Sequence, residues 1–544
     1  METTDRATEG DPLKRTGDGA ETRVASSATE LRKKGCKVLC FSKLTHWRTA
    51  VFFLSLFLCL IIVFAFSFII PCPVRPQYLI SWNRTFPGAE TYDFLAIEDA
   101  SKDKVMDVLF VLKDTESSLN STCEDAGLPS PCVFVLAVDG TDGETLWERP
   151  LHPEFHWAQC GLDADGDKTW DCLLSHADRL SALDKHSGEV RWQRSQPPGV
   201  RSAVPVLSVP DLDGDMVSDV ALVTSDQTQM ELVFLSGTTG DLMGSSVALN
   251  SSETDRHLLH STAEGSHYLL LQKDTGLFAL ALWRIAAAAG IQVRLKRDSL
   301  WEKKARGPSG LVPVYESDSL RQVVKVGGAD ESSSNLLLVT GSEVALVDGK
   351  NAELLWTFNS SSVLSEPSYG HFNKDGVLDV VVEEHVDDGG KKVIILDGKS
   401  GGVLWDVTLL ASPNSPRPAS IHTTNSYSIF MFWGLLPPTT NSSVPSSDRR
   451  SYMLLPLYAN VLLESTNVAD HIVTFRATLL ERGRHAAYIL LTGAQGAQGT
   501  VVLSKRKLKQ DVPSSQVVPV GAGAASEPSD IIKQAFNRLR FSDK

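Results

Sequence analysis

No cluster of cysteine and histidine at metal-ligand spacing occurs in this 544-residue chain, and no nucleophile stands with a spaced base and orienting group. The first absence argues against zinc, and the second leaves no catalytic centre legible. Basic charge is not in surplus either: 52 Lys and Arg face 66 Asp and Glu, a net charge of -14, which argues against nucleic acid as a partner. Long amphipathic helices are missing from the region of about 92–507, which excludes a helical body there. Uncharged runs long enough to cross a bilayer are limited to one.

That run, Ala50 to Ile70, has 21 residues without a charge, among them 6 Phe, 4 Leu, 4 Ile and 2 Val. At a helical rise of about 1.5 Å per residue it is roughly 31 Å long, the thickness of a hydrocarbon core. Its 49 preceding residues and the following Pro71-Cys72-Pro73 do not fit a cleaved leader, so the run is expected to remain as a signal-anchor. Arg32, Lys33, Lys34, Lys37, Lys43 and Arg48 crowd its N-terminal side, with no acid between Leu31 and Thr49. Positive flanks stay cytoplasmic, so a type II protein is predicted, with residues 71–544 extracellular or lumenal at the cell surface or in the secretory pathway. The five sequons, at Asn83, Asn120, Asn250, Asn359 and Asn441, all follow the run and are candidate glycosylation sites.

The cysteines divide in the same way. Cys36 and Cys40 lie in the basic tail as lipidation candidates, and Cys59 lies in the span. Cys72, Cys123, Cys132, Cys160 and Cys172 face the oxidising side, where disulfides persist. Pairing Cys123 with Cys132 and Cys160 with Cys172 is the simplest of three schemes. Cys72 is then free, modified or bridged to a partner.

From about Tyr92 to Lys507 short strands alternate with Gly, Asp, Ser and Pro. Two elements recur. A strand, an Asp-Gly-like turn and a strand ending in Trp appear at 134–147 (FVLAVDGTDGETLW), 182–192, 344–356 and 393–405, with fainter copies at 232–240 and 489–502. The turns suit tight hairpins, and Trp147, Trp192, Trp356 and Trp405 are expected between neighbouring sheets. The second element is an acidic loop with side chains at positions 1, 3, 5 and 9: Asp163, Asp165, Asp167, Asp171, and again Asp211, Asp213, Asp215, Asp219. Weaker copies are His371, Asn373, Asp375, Asp379 and Asp99, Ser101, Asp103, Asp107.

The Asp163-to-Asp211 step is 48 residues, close to one four-stranded propeller blade. The predicted fold is therefore an all-β ectodomain, a seven-bladed β-propeller with eight blades as the alternative, on one transmembrane helix. Irregular insertions are expected around 283–310 and 437–450.

Oxygen ligands at alternate loop positions can converge on one hard cation, which points to structural calcium. The strong candidates are the Asp163 and Asp211 loops; Asn373, Asp375 and Asp379 are weaker, because His371 stands first. The competing reading is that the aspartates only cap their own turns. His156, His176 and His186 are read as surface residues.

On these residues the chain resembles the FG-GAP repeats of the integrin-alpha propeller. Residues 163–171 and 211–219 match that calcium loop at each ligand position, while 371–379 and 99–107 depart at the first and third. The Trp hairpins also resemble quinoprotein propellers. The whole plan is similar to the integrin-alpha FG-GAP repeat-containing protein 3 family of single-pass membrane proteins, a resemblance that implies architecture more than activity.

The expected organisation is a cytoplasmic tail (1–49), a span (50–70), a juxtamembrane segment (71–91), the propeller (92–507), a flexible linker (508–528) and an amphipathic helix (529–544) that docks on the propeller, binds a partner or touches the bilayer. The leading functional expectation is a binding or scaffold protein, an accessory chain of another membrane protein being one form of it. The alternatives are a quinone-dependent or hydrolytic enzyme working through the central funnel, and a structural membrane protein without a selective ligand.

Overall fold

The structure is a computed structural model and describes residues 41–69, 79, 81–114, 120–200, 206–226, 229–249, 257–273, 275–327, 334–360, 362–386, 389–410, 415–436, 450–468, 471–481, 485–493, 499–521 and 527–542. Cys36, Cys40, Cys72, Asn250, Asn441 and most of the 437–450 insertion lie outside the described residues. Two compact units emerge, Met1–Arg75 and Pro76–Lys544.

In the first unit, α1 (Phe41–Ile69) covers the apolar run as far as Ile69 and starts nine residues before Ala50. Its stretch His46–Phe64 is long and apolar enough to span a membrane. Ser55 donates its hydroxyl to the Phe52 carbonyl at 2.8 Å, so this polar group is satisfied within the helix.

Among the described residues, the second unit is built of antiparallel strands in seven hydrogen-bonded sheets, one of them seven-stranded. That wide sheet is two blades joined by one long strand, β1 (Ser81–Glu98). Residues 81–89 of β1 pair with Gly499–Lys507, whereas residues 89–98 pair with Asp107–Asp114. The body is therefore eight-bladed, which decides the blade count against seven. Residues 81–91, read from sequence as juxtamembrane, are the strand that joins the last blade to the first.

Blade 1 runs from the second half of β1 to Thr145–Leu151, and blade 2 from Phe155–Leu162 to Val190–Ser195. Blades 3 to 6 begin with Leu207–Val209, Leu258–Ser261, Gln322–Val326 and Ser368–Gly370. Blade 7 begins with Ala419–His422 and blade 8 with Ile472–Glu481. Among the described residues, first strands pack together at the joins of blades 1 and 2, 3 and 4, 6 and 7, 7 and 8, and 8 and 1, which places them around the axis.

Apolar packing confirms the closure. Each of eight buried clusters straddles one pair of successive blades. The cluster containing Trp82, Val108, Phe110, Ile489 and Leu503 joins blade 8 to blade 1. A blade thus buries its two faces only against its neighbours.

Two insertions depart from the blade pattern. Helices Leu282–Ala288 and Ser299–Lys304 fill the irregular stretch near 283–310, the second capped by Asp298, which accepts from the Leu300 and Trp301 amides. The expected flexible linker at 508–528 is in its first part ordered: helix Leu508–Ser514 buries Leu508 and Val512, and Gln516–Pro519 adds a fifth strand to blade 7. Its anchor is Asp511, which accepts from the Tyr488 hydroxyl and, at 2.8 Å, from the Arg506 guanidinium. Beyond it, helix Ser529–Arg538 sets Ile532 and Phe536 into the core shared by blades 7 and 8, followed by Leu539 and Phe541. The helix thus docks on the propeller, one of the three roles expected of it.

Both disulfides of the simplest scheme are present, Cys123–Cys132 and Cys160–Cys172. The second links directly opposed residues of the first two strands of blade 2.

Candidate metal loops

The four acidic loops occupy the same place in their blades, between first and second strands. They also share a backbone: positions 4 and 6 take left-handed φ in every copy, from Lys102 and Lys104 through Gly166 and Lys168 and Gly214 and Met216 to Lys374 and Gly376. The turn is therefore common to all four, and only the side chains distinguish them.

In the two strong copies the first three acids converge. Ligand atoms of Asp163, Asp165 and Asp167 lie within 4.8 Å of one another, as do those of Asp211, Asp213 and Asp215. Backbone amides hold them: Asp211 accepts from Gly214 at 2.6 Å and Met216 at 2.8 Å, and Asp163 accepts from Gly166 at 2.8 Å and Lys168 at 3.1 Å. The copies differ in charge. Arg191 sits 2.9 Å from Asp165 and also pairs with Asp184, supplying a cation to the first cluster. In the second, Asp215 accepts the Thr238 hydroxyl at 2.6 Å instead.

The ninth-position acids, expected to share the ligand set, also anchor their loops. Asp219 is fully buried and accepts from Leu212 N–H at 2.6 Å within its loop and from Gly237 N–H at 2.9 Å in the hairpin between strands three and four. Asp171 joins Ala164 to Lys185 in the same way, Asp379 joins Phe372 to Gly398, and Asp107 joins Ala100 to Gly140. Each carboxylate ties an acidic loop to the facing turn. Asn335 repeats half of the device in blade 5, accepting from Gly349 N–H at 3.2 Å. Burial pushes Asp171 and Asp219 up to about 6, against the lowering pull of those amides.

The third loop gathers less charge: Asn373 donates to Asp397 at 3.3 Å, and the His371 ring meets the Val377 carbonyl at 3.0 Å. Among the described residues, the carboxylates of this loop and of the Asp99 loop form no three-acid cluster.

The same turns receive the tryptophans. Trp147, Trp192, Trp356 and Trp405 each donate an indole N–H to the next blade, to the carbonyls of Lys185, Gly237, Gly398 and Ala459. The sequence pattern missed two members. Trp82 donates to Gly140 O and Trp301 to Lys350 O, but Trp82 lies on β1 far from its turn and Trp301 on an inserted helix, so neither shows the hairpin spacing. Each turn glycine leaves room for the ring: a Cβ on Gly188, which has φ +68°, would sit 2.6 Å from Trp147.

His176, expected at the surface, is buried against the Ser181 hydroxyl at 2.9 Å. His260 is buried too, stacked on Trp301 and 2.7 Å from the Gly349 carbonyl. Burial lowers both from 6.5 to about 4. Their folded pKa lies below the unfolded one, so the stability they supply is complete above about 6.5 and is lost as pH falls towards 4, by about 1.4 kcal/mol per unit for each. Asp171 and Asp219, shifted upward, work with the opposite sign between about 6 and 4. Urea unfolding at stepped pH should therefore show a shallower acid loss in His260→Gln than in wild type; equal slopes would contradict a neutral, buried His260.

The profile of the FAM234A/B beta-propeller family matches residues 82–542. Protein FAM234A of Bos taurus is 37% identical over 513 residues, covering 92% of each chain. Protein FAM234B of Gallus gallus is 29% identical over 540 residues, covering 93% of this chain and 82% of that one. Among solved structures, BamB from Moraxella catarrhalis aligns with a TM-score of 0.36 at 13% identity, covering 70% of this chain and 97% of that one.

Proposed function

The chain belongs to the FAM234A/B β-propeller family, and on that premise we propose that it is a type II membrane protein whose extracellular or lumenal propeller presents calcium-held loops to a protein partner. The orientation rests on the basic flank before the apolar run and on sequons placed only after it. Two of those asparagines, Asn83 and Asn359, are exposed on blade strands, where a glycan meets no packing.

One observation carries the reading: acid triplets converge on loops that buried carboxylates fasten to rigid blades. Asp211, Asp213 and Asp215 would hold the ion in blade 3, and Asp163, Asp165 and Asp167 in blade 2. All-oxygen donors in a tight turn suit calcium, as in the integrin-type FG-GAP loop they resemble. Calcium would neutralise the clustered carboxylates. Asp171 and Asp219, at the ninth positions, would complete the ligand sets while anchoring their loops, since each carboxylate oxygen accepts one amide and keeps a further lone pair. Because Arg191 competes in blade 2, the Asp211 loop is the tighter of the two.

A stiff disc with fixed rim loops suits recognition of another protein, including an accessory role beside a multispan membrane protein. Proximity labelling in native membranes with reciprocal capture tests the partner; failure to recover any reproducible extracellular or lumenal neighbour would reject it. For the metal, calcium should raise the melting temperature of the full chain, and Asp213→Asn with Asp215→Asn should remove more of that rise than Asp165→Asn with Asp167→Asn. An unchanged calcium response in the blade 3 variant would remove calcium from that loop.

A further inference from the structure

The axial channel is lined unevenly in charge. On the arc formed by blades 2 to 5 it opens into a cavity of about 570 Å³, within the ordinary range for small-molecule sites. Its polar lining among the described residues is Gln159, Ser208, Ser218, Ser261, His257, His267 and Lys325, with no acidic side chain among them.

Lys325 is the charged member. It stands near the end of the first strand of blade 5, and the channel walls lower its pKa by desolvation alone, with no carboxylate offsetting the effect. Its side chain is exposed to the hollow and, among the described residues, forms no ion pair. On the opposite arc, Arg476 has Glu366 and Asp93 among its charged neighbours, and Glu366 pairs with Arg417 at 2.9 Å. His267, at the start of the second strand of blade 4, lies in the field of Lys325 and Lys296 and is kept neutral by burial and those cations, which leaves its ring an N–H donor. Donors and a cation thus line one hollow in which no acid stands among the described residues.

We infer that this hollow is a binding site for a small oxyanion ligand, one bearing phosphate or carboxylate groups, held by Lys325 with His267 as a hydrogen-bond donor. The Lys325 ammonium is exposed to the hollow and can meet an entering anion directly, and the neutral imidazole adds direction without a second charge to desolvate.

Inorganic phosphate and citrate, titrated separately into the detergent-solubilised full chain in metal-free buffer at constant ionic strength, test it by calorimetry. At least one should bind saturably at one site, and which one binds separates a phosphate from a carboxylate preference. Glucose should not bind. Lys325→Gln should weaken the bound anion about tenfold or more, and Lys325→Arg should keep it within about threefold, tenfold corresponding to about 1.4 kcal/mol. The same anion should slow acetylation of Lys325 in the wild-type chain, a readout that needs no variant to fold. Failure of both anions to saturate, or anion binding and acetylation that ignore Lys325, would overturn the assignment.

Discussion

Deletion of residues 527–544 is expected to strip the cover from the join between blades 7 and 8 and to yield a chain that melts several degrees lower and aggregates on concentration. The segment looks like an appendage in sequence, but Ile532, Phe536, Leu539 and Phe541 are each at most 4% exposed. Full burial of such side chains contributes about 1.5–3 kcal/mol apiece, and their loss also bares the surface beneath, including Phe475 and Val512. The chain is further tied in by backbone pairing of Phe541 with Thr423. Phe536→Ala alone should cost about 3–5 kcal/mol in urea unfolding. Ile531→Ser, at a position 45% exposed on the same helix, should be nearly neutral. Equal effects of the two would mean that the helix does not dock through this face.

The second large effect belongs to the tryptophan joints. Trp192→Ala is expected to destabilise the propeller by about 3–5 kcal/mol, because it empties a packed site at the join of blades 2 and 3. It also orphans the Gly237 carbonyl, which now accepts the indole N–H at 2.8 Å. Gly237 donates its own N–H to Asp219, so the joint and the acidic loop of blade 3 share one turn. A loss at Trp192 should consequently loosen that loop, seen as faster amide exchange at Leu212, whose N–H is held by Asp219. Trp170, 53% exposed beside the Asp163 loop, provides the contrast: its change to alanine should cost little. A Trp192 variant as stable as wild type would show that the rings fill space without joining blades.

How much of this was legible in the sequence depends on how local the signal is. The Trp hairpins and acid loops recur at a near-constant step, and each is closed by residues within about ten positions, so blade architecture could be read from them. The pairing of Cys160 with Cys172 was legible for the same reason, since the two cysteines bracket one loop. Ring closure was not: Ser81 to Ala89 pairs with a strand more than 400 residues later, and no local pattern marks it. That distant pairing supplies the eighth blade. The 508–519 segment was misread because its composition favours a linker, while its order comes from Asp511 meeting Tyr488 and Arg506.

The candidate site was legible in its residue types but not in their division of labour. Spacing alone treats positions 1, 3, 5 and 9 alike. Packing separates them, since the ninth residue begins the second strand and is drawn under the hairpin of its own blade, as Asp219 is beneath Gly237. A buried carboxylate there must find N–H donors, and two amides satisfy it. Asn335 is the member that an acid-only search passes over, although it meets the same need with an amide oxygen.

Closure of the eight-bladed ring through β1 is tested most directly by a cross-link across it. Thr85 and Val502 are directly opposed, so cysteines placed at both positions should oxidise to an intramolecular bond. Mass spectrometry of the proteolysed full chain should then recover the two linked peptides from monomeric protein. Recovery of only unlinked peptides, or of the link solely in dimers, would contradict a ring in which the first strand completes the last blade.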